Sequence, residues 1–166
     1  MKKILSFILL GATSLVASAQ ISSLDELSTD KAYTIYNPFY TTYAVYNAEK
    51  STSLVWAAGM TASDKTIADQ SYTTPFNAAD PSSSWMIVPF NEQWFVYNLG
   101  AKKFMAVGHT AANSSTASAK LQDTPVAVEF TSNGNGGFHL RSYDGNQNFL
   151  CAAPQLSYPI SIWTSA

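Results

Sequence analysis

The chain has a single cysteine, Cys151, so no internal disulfide can staple it, and the paired-cysteine motifs of redox and zinc sites are excluded. Histidine is nearly as scarce. His109 and His139 stand alone, without the short-spaced partners that a zinc site requires. Charge is sparse as well, at 12% of residues. Beyond the first few residues the only adjacent basic pair is Lys102-Lys103, so no cluster exists that could release counterions from a nucleic acid. No apolar run approaches the ~18 residues that would span a bilayer as a helix. Nucleophilic catalysis has no Gly-x-Ser-x-Gly elbow to rest on, and the eleven carboxylates are scattered. The expectation is a protein with no catalytic residues, metal or cofactor.

The N-terminus reads as an export signal. Lys2 and Lys3 precede the apolar run Ile4 to Leu10, and Ala17-Ser18-Ala19 offers small residues for cleavage before Gln20. The residue after that point is Gln20, not a cysteine that could take a lipid. Residues 1–19 are expected to be a signal peptide, 20–31 a lead-in segment and 32–166 one domain, secreted, periplasmic or held at the cell surface. Without the signal, seven basic residues face eleven acidic ones, a net charge of −4.

Aromatic and hydroxylated residues fill the space that charge leaves. Eight Phe, nine Tyr and four Trp lie beyond residue 19, a mixture suited to half-buried pleated surfaces. They recur in a pattern. Tyr33-Thr-Ile35, Tyr43-Ala-Val45-Tyr-Asn47 and Leu54-Val-Trp56 form a first copy; Trp85-Met-Ile87, Trp94-Phe-Val96-Tyr-Asn98 and Met105-Ala-Val107 form a second. Phe130-Thr-Ser132, Phe138-His-Leu140-Arg-Ser142 and Leu150-Cys-Ala152 form a third. Tyr33 to Tyr43 is ten positions, Trp85 to Trp94 nine and Phe130 to Phe138 eight. Repeats of this kind, about 32–84, 85–129 and 130–166, predict an all-β array in which no unit buries its apolar face alone.

Turn residues fall between the strands. Asn133-Gly-Asn-Gly-Gly137 and Asp144-Gly145 divide the third copy, and Pro89 to Gln93 and Leu99 to Lys102 divide the second. Leu24 to Leu27 reads as one helical turn or a loop. Fourth strands are expected near Thr66-Ile67-Ala68 and Ala119-Lys120-Leu121, and a closing strand at Ile160 to Trp163. Alternation of period two places Tyr43, Val45 and Asn47, Trp94, Val96 and Asn98, and Phe138, Leu140 and Ser142 on one face. His139 and Arg141 mark the other face as outward, so Tyr46, Phe95 and Tyr97 are predicted to be exposed. Asn47 and Asn98 are read as pins for the backbone.

The segment WFVYNLGAKKFMAV, Trp94 to Val107, resembles the repeat of ricin-type β-trefoil domains: an aromatic strand ending in Asn, a Ser-Gly-Lys-like turn and a strand beginning with Leu. The resemblance spans Tyr33 to Trp163 and is also similar to secreted trefoil modules of Bacteroidetes. It implies a six-stranded barrel capped by three hairpins with pseudo-threefold symmetry, and carbohydrate binding in shallow pockets. Where the family commonly has Gln-x-Trp, this chain has Ser83 and Trp85, Val128 and Phe130, Ser161 and Trp163. Where sugar-binding repeats place an Asp, it has Val55, Ala106 and Cys151. The expected ligand-binding residues are therefore the exposed aromatics Tyr46, Phe95 and Tyr97, which offer rings to the C–H face of a sugar. Arg141, Asp144, Asn146 and Asn148 around the last hairpin are the expected partners of its hydroxyls. Two other readings stand beside the glycan-binding one: a protein-binding trefoil such as a protease inhibitor, presenting 61–84 or 109–124, and a structural surface module.

Overall fold

A computed structural model describes residues 19–38, 42–59, 76–107 and 119–143, together with the backbone of 161–164. Eleven strands run β1 (Gln20–Ile21), β2 (Tyr33–Asn37), β3 (Thr42–Tyr46), β4 (Val55–Gly59), β5 (Trp85–Phe90), β6 (Gln93–Asn98), β7 (Lys103–Ala106), β8 (Lys120–Gln122), β9 (Val128–Ser132), β10 (Phe138–Ser142) and β11 (Ser161–Thr164). All pairings are antiparallel. The main path is β1-β11-β2-β5-β6-β7-β8, from which the β3-β4 and β9-β10 pairs branch at β2 and β6. β11 lies between β1 and β2, so the first and last described strands meet in one sheet. The expected lead-in turn is a 3-10 helix, Leu24–Glu26, held by a capping box between Ser23 and Glu26. No helix among the described residues is long and apolar enough to cross a membrane.

One core serves all three repeats. Tyr33, Ile35, Val55, Trp85, Ile87, Val96, Met105, Val128, Phe138 and Leu140 are buried in it together. The closing strand and the strand at 119–121 form as predicted, the latter as β8, while Thr66-Ile67-Ala68 and Leu150-Cys151-Ala152 lie outside the described residues. Asn98 is the pin that its place in the motif predicts. Fully buried, it donates from Nδ2 to the Ser82 carbonyl at 2.9 Å and accepts the Ala101 N–H on Oδ1 at 2.8 Å. The neighbouring turn needs its glycine for space: a Cβ on Gly100 would lie 2.7 Å from the backbone of Ser82.

Hairpin geometry corrects two expectations. The second hairpin turns on Asn91-Glu92 alone, both at positive φ, as a two-residue type I′ loop demands. Its strands therefore continue through Phe90 and Gln93, where a longer turn from Pro89 to Gln93 was expected. In the first repeat the predicted faces are reversed. Ala44 sits opposite Ala57 and Tyr46 opposite Val55, and these are the core-facing positions, while Val45 pairs with Trp56 on the other face. The cause is parity. An even loop, 38–41 or Asn91-Glu92, puts residues an even number of positions apart across the hairpin on opposite faces. Ten positions from core-facing Tyr33 therefore carries Tyr43 outward, while nine from Trp85 carries Trp94 inward. The odd loop of the third hairpin, Asn133–Gly137, makes eight positions face-preserving. A one-residue slip in motif alignment thus reverses a whole strand.

Asn98→Ala should lower unfolding free energy by about 2–3 kcal/mol, since it strands the Ala101 N–H and the Ser82 carbonyl. Gly100→Ala should cost about 1–3 kcal/mol through overpacking. Urea unfolding checks both against Phe90→Ser at the exposed hairpin end, which should stay within about 0.5 kcal/mol of the parent.

Candidate functional site

Among the described residues, two depressions differ in chemistry. The first, about 290 Å³, lies where the first repeat meets the entry to the second. The hairpin after β3 supplies Tyr46, Asn47 and Glu49, and the segment before β5 supplies Asn77, Asp80 and Ser83. Each segment is braced from within. Asn47 Oδ1 accepts the Glu49 N–H at 3.1 Å, and Asn77 Oδ1 accepts the Ala79 N–H at 3.1 Å. Asp80 caps the 3-10 helix Pro81–Ser83, with Oδ1 accepting the Ser82 N–H at 2.9 Å and the Ser82 hydroxyl. These bonds occupy one atom of each side chain and aim the rest. Among the described residues no lysine, arginine or histidine lines the hollow, so it can hold a neutral, hydroxyl-rich ligand against the Tyr46 ring.

The second depression, about 510 Å³, is a cleft on the outward face of β5 to β7, lined by Met86, Val88, Phe90, Phe95, Tyr97, Phe104 and Pro125. Strand register assembles it, with Met86 opposite Tyr97, Val88 opposite Phe95 and Tyr97 opposite Phe104. The Tyr97 and Phe104 rings meet edge to face at 4.9 Å. Phe90 is 63% exposed at its rim. Nothing in the lining except the Tyr97 hydroxyl can hydrogen-bond through a side chain.

The structure therefore separates the residues that the repeat pattern grouped. Phe95 and Tyr97 share the apolar cleft, outward as predicted. Tyr46 does not join them: it packs against the core and borders the polar hollow, a consequence of the reversed first repeat. Arg141 lies on the outward face of β10 beside His139, opposite Glu129, and lines neither depression. Asp144, Asn146 and Asn148 lie outside the described residues, as does most of each tract, 61–84 and 109–124, on which a protease-inhibitor reading depends. Of the positions where a sugar-binding acid was sought, Val55 is sealed in the core and Ala106 is half-buried. The carboxylates near Tyr46 come instead from Glu49 in a turn and Asp80 in a cap. Neither residue was singled out from the sequence, because what brings them to one hollow is a convergence of segments about 30 residues apart. For Phe90 a signal existed, since the alternation Met86, Val88, Phe90 runs unbroken through Pro89. No group of three or more metal-ligating side chains occurs among the described residues.

No protein-family model and no curated protein matches the chain. Among solved structures it is similar to a ricin B-like lectin of Macrolepiota procera in complex with lactose, with a TM-score of 0.55 over 85% of this chain and 91% of that one. Sequence identity is 12%. The fold is a β-trefoil. The β2-β3, β5-β6 and β9-β10 hairpins, packed around one shared core, correspond to its three repeats.

Burial, and then the Arg141 guanidinium beside it, lower the His139 pKa below the usual histidine range. The unfolded chain then holds more protons than the folded one between the two pKa values, so stability should fall as pH drops through that window. Imidazole proton NMR should show His139 titrating below 6.5, and Arg141→Gln should move it upward without fully restoring it, because burial remains. Substituting His139→Gln should flatten that part of the stability profile.

Proposed function

We propose that the protein is an exported carbohydrate-binding module with no chemical step of its own, and that the hollow at Tyr46 is its sugar site. The observation that carries this reading is the composition of that hollow among the described residues: one aromatic ring beside two carboxylates and two amides, with no cation. Neutral sugars present an apolar C–H face and a ring of hydroxyls, each both donor and acceptor, and such a lining matches both. A volume of about 290 Å³ accommodates one monosaccharide unit and leaves the chain on either side in solvent. The trefoil fold supports the reading by analogy, since the similar fungal protein is a lectin with bound lactose. An export signal at residues 1–19 would deliver the module to where extracellular glycans are met.

Small shallow sites give weak binding, with dissociation constants on the order of 0.1–10 mM for a single sugar unit. Glycan-array screening of the purified protein, followed by calorimetry on any hit, tests the proposal. Glu49→Gln and Asn77→Ala, both at exposed positions, should each weaken binding by about 5–20-fold while leaving unfolding unchanged. Phe95→Ala should leave affinity within about twofold. Retained affinity in both polar variants, or no binding to any neutral glycan, would overturn the assignment.

A further inference from the structure

We propose that the outward face of the third hairpin is an oxyanion site, in which Arg141 and His139 hold the carboxylate or sulfate group of an acidic sugar. For its ligand class this rests on the carbohydrate reading above, but the site is a different one. Its residues share nothing with the hollow at Tyr46, whose two carboxylates would repel such a ligand.

The argument begins with unmet donors. On β10, Phe138, Leu140 and Ser142 face the core, leaving His139 and Arg141 side by side on the opposite face. Buried nitrogens on both, Nε of Arg141 and Nδ1 of His139, have no hydrogen-bond partner among the described residues. Arg141 also makes no ion pair among the described residues. Glu129, directly opposite it on β9, lies beyond salt-bridge distance, and the pairing that does form is Lys103 with Asp123 at 3.9 Å. Arg141 Nε and the His139 imidazole therefore lie on one face of β10 without an acceptor among the described residues. Planar guanidinium donors match a carboxylate or sulfate in a way that a sugar hydroxyl does not.

Electrostatics agree with the geometry. Burial, and after it the positive charge of Arg141, holds the proton off His139. An anion between the two would screen that repulsion, so binding should strengthen as pH falls and the imidazole protonates. The facing groups on β9 are Glu129 and Thr131, and Glu129 opposes the anion. The proposal therefore predicts that removing this carboxylate tightens binding.

NMR of the purified protein tests this by following the His139 imidazole and the Arg141 Nε–Hε signal during titration with glucuronate, galactose 6-sulfate, inorganic sulfate and galactose. Either acidic sugar should shift the Arg141 signal and raise the His139 pKa by about 0.3–1 unit. Arg141→Gln should weaken acidic-sugar binding about tenfold or more, and Glu129→Gln should strengthen it about twofold to threefold. Galactose should leave both signals unmoved. If galactose perturbs Tyr46 and Asn77 while neither acidic sugar reaches Arg141 at about 50 mM, this proposal falls and the neutral-sugar reading stands. The opposite pattern overturns the neutral-sugar site and supports this one. Equal affinity for inorganic sulfate and galactose 6-sulfate would overturn the sugar as the ligand.

Discussion

Trp85 ties the first two repeats together. Its indole is fully buried, and Nε1 donates to the Ala44 carbonyl at 2.9 Å, from the first residue of β5 to the middle of β3. The same residue sits opposite Tyr33 across the β2-β5 junction and opposite Asn98 within its own hairpin. A buried indole N–H without a partner is costly, so this bond dictates where β3 lies against β5. The 3-10 helix Pro81–Ser83, which ends two positions before Trp85, is thereby set against the end of β3. Asn98 locks it there through the Ser82 carbonyl.

The polar hollow is a product of that junction. Its walls come from the two segments that Trp85 and Asn98 hold together, the turn after β3 and the capped helix before β5. Side-chain bonds inside each wall fix the orientation of Asn47, Asn77 and Asp80 before any ligand arrives, which reduces the ordering cost of binding. The apolar cleft arises differently. It is the outward face of the second repeat, rigid because its strands are paired on both sides, yet with almost no polar group to orient a sugar. Aromatic exposure alone made Phe95 and Tyr97 look like the natural ligand platform; the surrounding chemistry favours Tyr46.

Much of the architecture could be read from the chain. Strand positions, the glycine turns of the third hairpin, β8, the closing β11 and the Asn98 pin follow from short-range patterns, in which period and turn chemistry act over a few residues. The first repeat was misread because its hairpin places matching aromatics ten positions apart across an even loop. Motif similarity aligned Tyr43 with Trp94, whereas pleat parity aligns Tyr43 with Phe95. Phe90 was hidden by Pro89, which resembles a turn residue but occupies a paired strand position opposite Trp94. The convergence of Glu49 with Asp80 is a tertiary fact, set by Trp85 and absent from any local window.

That convergence is the account's central claim, and backbone amide NMR of the isotope-labelled protein titrated with lactose tests it most directly. The account predicts shift changes concentrated at residues 46–49 and 77–83, with Phe95, Tyr97 and Phe104 unmoved. Changes centred on those three aromatic residues, with the hollow silent, would contradict it.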